Sequence, residues 1–258
     1  MGKRKFTAQQ ARSALIEAGV EMLASVGPAG VGSVTLATAI GLSGVPRPSA
    51  YRVFGAGPTT PQEAFHEALI THVITTPSGL RQPLTESMAP ILADARTAAT
   101  ADELTAMLQR LLSTFASTTM NFMRNDVQSG VLVAALALTT TAKCSDTMAE
   151  ALAEASERRH KFYSLLYVEM LDVFGLKLRK GWTMADATTV VNDASYGAML
   201  SGRTSGDQVG GCPLMARRLA SSLAALVFMA TEPDPGARLS AVPSALMNVT
   251  PAPLSNAG

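Results

Sequence analysis

Residues Thr35–Phe54 read TLATAIGLSGVPRPSAYRVF, and this stretch decides the fold. The residues through Ser43 fit a short helix opened by Thr35, whose hydroxyl suits a first turn with free amides. Gly44 breaks that helix. A second short helix fits Arg47–Phe54. Pro46 and Pro48 are tolerated near its start, where first-turn amides have no intrahelical partner to lose. Two stubby helices around a tight turn at Gly44-Val45 form a helix-turn-helix, whose second helix lies in the major groove of duplex DNA. Ala39, Ile40 and Ser43 then pack the first helix, and Ala50, Val53 and Phe54 face inward from the second. Arg47, Ser49, Tyr51 and Arg52 are left toward DNA.

Working outward, Ala11, Leu15, Ala18, Met22 and Val26 recur at helical spacing and predict a helix over Ala8–Val26, ended by Gly27-Pro28. A fourth helix is expected from Pro61 to about Val73. Further helices are expected near 83–97, 102–124, 126–142, 145–175, 183–203 and 212–231. Thr183 and Asp186 have capping-box spacing. No period-two alternation of convincing length appears, so no sheet is predicted. Residues 233–258 are rich in Pro, Ala and Ser and read as a disordered tail. The predicted class is all-α with about nine to ten helices. A DNA-binding domain over 1–60 precedes a larger helical domain over 61–232.

The chain has 258 residues, 47% of them hydrophobic, which is ample for a full core. Its formal charge of +1 excludes a polybasic coat, but the distribution is uneven. Lys3, Arg4, Lys5, Arg12, Arg47 and Arg52 face only Glu17 and Glu21 within residues 1–60, and the remainder is slightly acidic. A basic end suits contact with phosphates. Cys144 and Cys212 lie far apart with no metal spacing, so a reducing, cytoplasmic setting fits. The most apolar run, Gly130–Leu138, is too short to span a membrane and reads as a buried helix.

The helix-turn-helix run resembles the signature of the TetR family of transcriptional regulators. There a Thr opens the second helix, Gly-Val follows nine residues on, and Tyr-Arg-x-Phe ends the third. Thr35, Gly44, Val45, Tyr51, Arg52 and Phe54 occupy those positions without a gap. Ala18, Met22, Leu23 and Gly27 are similar to the family's first helix. Gly175 to Asp186, then Tyr196-Gly197, is similar to a late loop and helix in many of its members. Three departures stand out. Pro46 replaces the usual Ser or Thr, the Lys after the Phe is missing, and Ala39-Ile40 reverses the common order.

The resemblance implies a homodimeric repressor that binds a palindromic operator and is released by a small apolar or amphipathic ligand, with no cofactor. Tyr51 then touches a phosphate. Arg47 reads a guanine edge or meets phosphate only, and Arg52 pairs with phosphate or with an acid on the first helix. Thr35, Ser49 and Thr60 anchor phosphate or simply cap and brace helices. Lys3, Arg4 and Lys5 form an arm on the DNA or a solvated run. Ligand-pocket candidates are Phe115, Phe122, Met123, Tyr163, Tyr167 and Met170, with ordinary core as the alternative. Dimer-interface candidates are Ala194, Gly197, Ala198, Ser201, Leu219, Leu223 and Val227, with an intramolecular face as the alternative.

Two rival classes remain. Glu63-x-x-His66 and Glu157-x-x-His160 match a step used by carboxylate di-iron bundles, although Glu154–Lys161 reads as an exposed charged face. A helical adaptor that has lost DNA binding would explain Pro46 and the missing Lys. No hydrolase elbow or phosphate-cradling glycine loop is present.

Overall fold

The structure, a computed structural model, describes residues 6–76, 79–125, 127–139, 145–204 and 211–248. Among these lie ten α-helices: α1 Ala8–Val26, α2 Leu36–Ser43, α3 Arg47–Phe54, α4 Pro61–Thr75, α5 Arg81–Arg96, α6 Ala101–Asn125, α7 Val127–Thr139, α8 Asp146–Val173, α9 Met184–Thr204 and α10 Gly211–Ala230. The helix boundaries follow local chemistry. Thr7 with Gln10 and Thr60 with Glu63 close capping boxes on α1 and α4. Thr183 does the same with Asp186 on α9, where the Asp186 amide donates to Thr183 Oγ1 at 3.2 Å. The returning bonds from the Thr183 hydroxyl and amide hold the exposed Asp186 carboxyl below its ordinary range.

The chain divides into two compact units, Met1–Ser78 with Asp126–Ser156, and Gly79–Asn125 with Glu157–Gly258. The first unit is built on α1, which packs against α2, α3, α4 and α7. Leu15, Leu23, Val34, Leu36, Phe65, Leu69 and Ile70 form its core. Val131, Ala134, Ala135 and Leu138 of α7 complete that core, with Met148 and Ala155 of α8. The compact unit that holds α1 to α3 thus runs past the boundary expected at residue 60 and takes in α4 and α7. A three-helix head of that size buries too little apolar surface to stand well alone, and α4 and α7 supply the missing area.

A polar latch joins α4 to the start of α2. Gln62 Oε1 accepts from the Leu36 amide at 2.8 Å, and its Nε2 donates to the Val34 carbonyl at 3.3 Å. His66 donates from Nε2 to the same carbonyl at 2.7 Å. The first amides of a helix lack intrahelical partners, and here a side chain from another helix satisfies one of them.

In the second unit α5 packs on α6, and α10 packs on both α6 and α9. Two short strands, β1 Leu176–Leu178 and β2 Thr231–Pro233, pair antiparallel, with Lys177 opposite Glu232. The expectation of no sheet is corrected, because three-residue strands are too short to show alternation. The expected disordered tail is corrected as far as Asn248. The Asp234 amide donates to the Gly175 carbonyl at 2.8 Å, the Ala241 amide to Phe174 at 2.9 Å, and the Val242 amide to Thr105 Oγ1 at 2.9 Å. Arg238 reaches the Ala98 carbonyl at 2.8 Å. Ala241 and Leu246 are buried, and Pro243–Asn248 forms a 3₁₀ turn. These anchors are long-range hydrogen bonds, which a Pro-, Ala- and Ser-rich composition does not reveal. Residues 249–258 lie outside the described residues.

Gly175 has φ +61°, and a Cβ there would collide with the Leu239 carbonyl. Gly175→Ala should therefore lower the urea-unfolding free energy by at least about 1 kcal/mol. An unchanged midpoint would mean that 234–241 is not seated against this turn. Gln62→Ala should cost roughly 1 kcal/mol by leaving the Leu36 amide unpaired. A calorimetric melt identical to wild type would reject the latch.

Candidate functional site

Helix α3 carries few helix-forming advantages of its own. Its N-cap is Pro46, which offers no side-chain bond. The Pro46 carbonyl instead accepts from the amides of Ser49 at 2.8 Å and Ala50 at 3.1 Å. Pro48 has no amide to satisfy, so the weakened cap leaves little undone. Gly44 takes the left-handed conformation between α2 and α3, with φ +67°, which only glycine adopts freely. Val45 is buried just after it.

The inner face of α3 is anchored. Ala50 and Phe54 are buried, and the Phe54 ring meets Phe65 edge-on with centroids 5.6 Å apart. Arg12 lies over the Phe54 ring at 5.4 Å. The outer face is open. Arg47 and Arg52 are exposed, Tyr51 is 39% exposed, and Ser49 is half-buried. The Arg47 guanidinium stands 5.5 Å from the centre of the Tyr51 ring. No acid pairs with Arg52 among the described residues, which leaves its charge available.

Two of the remaining DNA-facing candidates are engaged in capping. Thr35 Oγ1 accepts from the Thr38 amide at 3.1 Å. Thr60 Oγ1 accepts from the Glu63 amide at 3.2 Å and donates to its carboxylate at 2.9 Å. Lys3, Arg4 and Lys5 lie outside the described residues.

A small apolar cavity of about 30 Å³ lies in the second unit. Its walls include Met88 of α5, Leu112 and Phe115 of α6, Tyr163, Tyr167 and Met170 of α8, Val191 of α9 and Leu223 of α10. Four of the six ligand candidates, Phe115, Tyr163, Tyr167 and Met170, thus line one space. Phe122 and Met123 do not. Phe122 sits against Gly79, and Met123 is buried elsewhere on α6. The Tyr163 hydroxyl is pushed up to about 12, by burial first and then by Tyr196, against the opposing pull of Arg159 and a hydrogen bond with Ser195. Burial alone raises Tyr167. Both phenols therefore stay neutral at physiological pH.

The interface candidates separate. Leu219, Leu223 and Val227 are buried within a single chain, against the α6 and α9 side of α10, and cannot form an outer face as expected. Ala194 and Ala198 are half-buried and Gly197 is exposed on α9. The side chain of Ser201 lies outside the described residues. Apolar side chains that do face outward include Val190 on α9, and Leu214 and Met229 on α10.

The metal-type motifs have other duties. Glu63 caps α4 and His66 holds Val34. Glu157 is exposed, and His160 hydrogen-bonds the Thr188 hydroxyl at 2.9 Å. The charged run Glu154–Lys161 is not uniformly exposed, since Arg159 and His160 are half-buried. Arg159 lies over the Tyr196 ring at 5.3 Å. Gln62 and Arg159 are the structural surprises. Each had a signal in the sequence: Gln62 as the second residue of a helix packed on the head, Arg159 as a residue four positions before Tyr163 and so on its helical face.

No family model matches the chain, and no curated protein sequence does. Solved structures do. The reduced form of E. coli NemR has a TM-score of 0.51 at 17% identity, covering 85% of this chain and 97% of that one. A putative TetR-family transcriptional regulator from Mesorhizobium loti MAFF303099 has a TM-score of 0.49 at 12% identity, covering 88% and 100%. Among the described residues no helix is long and apolar enough to cross a membrane. The shared architecture and the ten helices agree with the resemblance of the Thr35–Phe54 stretch: the chain has the all-helical TetR-like fold.

Proposed function

We propose that the protein is a sequence-specific, homodimeric transcriptional repressor of the cytoplasm that reads a palindromic DNA operator with α3 and is released by a small ligand. One observation carries the reading. Helix α3 is fixed from within by Ala50 and Phe54, while Arg47, Tyr51 and Arg52 stand free on its outer side. A rigid short helix bearing two cations and a phenol suits the major groove, where guanidinium pairs with guanine O6 and N7. Arg52 and the Tyr51 hydroxyl suit the phosphates. The ring of Tyr51 also steadies Arg47, lowering the entropy lost on contact.

One eight-residue helix makes few base contacts, so two heads on a two-fold axis are needed for affinity. The outward sides of α9 and α10, with Val190, Gly197, Leu214 and Met229, are the proposed dimer face. The apolar cavity is the proposed ligand site, and a ligand favouring one arrangement of the dimer would lower DNA affinity. No catalytic step is assigned to the chain.

Selection of bound sequences from random duplex DNA should return a site with two-fold symmetry. Affinity for it should fall steeply between about 50 and 200 mM salt, as counterion release requires. Absent or salt-insensitive binding would favour an adaptor. Arg47→Ala should relax base preference, and Tyr51→Phe should weaken binding evenly across sequences. Each loss should be about 1–3 kcal/mol by gel shift. If both variants bind as wild type does, α3 is not the reading helix.

A further inference from the structure

The turn of α8 before Tyr163 carries a buried donor without a partner. Arg159 Nε is buried and has no hydrogen-bond partner. Buried polar groups are nearly always paired, so this orphan calls for an explanation. Phe115 of α6 and Tyr163 of α8 are in ring contact, with centroids 6.1 Å apart, and both line the apolar cavity. Arg159 is one turn from Tyr163 on α8, and its guanidinium lies 5.3 Å from the centre of the Tyr196 ring.

The charge of Arg159 is felt by its neighbours. It opposes the upward shift that burial imposes on the hydroxyls of both Tyr163 and Tyr196. No carboxylate pairs with it among the described residues. Tyr163 is engaged with Ser195, whose hydroxyl donates to the Val191 carbonyl at 2.8 Å. His160 bonds to Thr188. The local groups thus supply donors and a positive charge, but no anion.

We propose that the cavity and Arg159 together form a binding site for an amphipath with a single carboxylate head and a flexible apolar chain. The chain enters between Met88, Phe115, Tyr167 and Met170, and the carboxylate meets Arg159. A guanidinium fits a carboxylate in bidentate fashion. One cation balances one negative charge, which favours a carboxylate over a doubly charged phosphate. The free space of about 30 Å³ is small, so the chain must displace wall side chains. Met88 and Met170, unbranched and adaptable, are suited to move. The proposal deepens the reading of the second unit as the ligand-sensing part, yet its test needs no DNA.

Binding of decanoate and of 1-decanol to the full-length protein is measured by isothermal titration calorimetry, below the aggregation limit of either. Decanoate should bind at least about tenfold more tightly than the alcohol, the effect of one charge-assisted pair. Arg159→Gln should bring the two ligands to parity, and Arg159→Lys should retain part of the preference. If Arg159 only braces Tyr196, Arg159→Gln will lower the melting temperature while leaving the ratio unchanged. That result would overturn the proposal, as would a ratio near one, or no decanoate binding, in the unaltered protein. The wild-type ratio decides the matter even if the variants fail to fold. Loss of operator binding in a separate gel shift would count against the regulator reading alone.

Discussion

An eight-residue helix does not persist by itself in water, because nucleation consumes most of what its few hydrogen bonds return. Helix α3 therefore exists only as far as its inner face is buried. Phe54 does most of this. It packs edge-on to Phe65 and lies under Arg12, while Ala50 permits close approach beside it. Loss of such an aromatic anchor typically costs about 3–5 kcal/mol, a large part of a domain's whole stability. The burial of one side is also what leaves the other side free. Had the helix been stabilised by charge pairs, Arg47 and Arg52 would have been occupied and the face would have nothing to offer DNA.

The support for that anchor lies far away in sequence. Phe65 comes from α4, which also latches the start of α2 through Gln62. Val131, Ala134, Ala135 and Leu138 close the core from α7, more than fifty residues further on. The helices themselves were legible, because stripes, caps and breakers are local. Thr35, Thr60 and Thr183 each begin a helix as their chemistry requires. The division into units was not legible, since it depends on which stripes meet. The small-residue character of α7 showed burial, but not whose core it would enter.

The same limit applies to the apolar stripe on α10. Leu219, Leu223 and Val227 form a genuine apolar stripe, and a stripe only demands a cover. Another helix of the same chain meets that demand as well as a second copy would, and here α6 and α9 do so. Polar residues were harder still. Glu63 and His66 stand at metal-ligand spacing, yet one turns to a helix end and the other to a carbonyl. Arg159 sits in a run whose composition signals solvent, but its spacing places it beside Tyr163. Phase along the helix was the better guide there.

The position of α9 and α10 gives the cavity a further meaning. Val191 and Leu223 line it from the inner sides of these helices. Val190, Leu214 and Met229 are exposed on their outer sides. An occupant too large for about 30 Å³ must push on the inner sides, and packed helices respond by shifting rather than by compressing. A ligand moves an equilibrium only by its difference in affinity between two states. A cavity already large enough in both states would bind without switching anything. A small one makes expansion the condition of binding, so the occupant's own volume becomes the source of the difference. The proposed dimer face lies on the far side of the same two helices, so that expansion would bear on it.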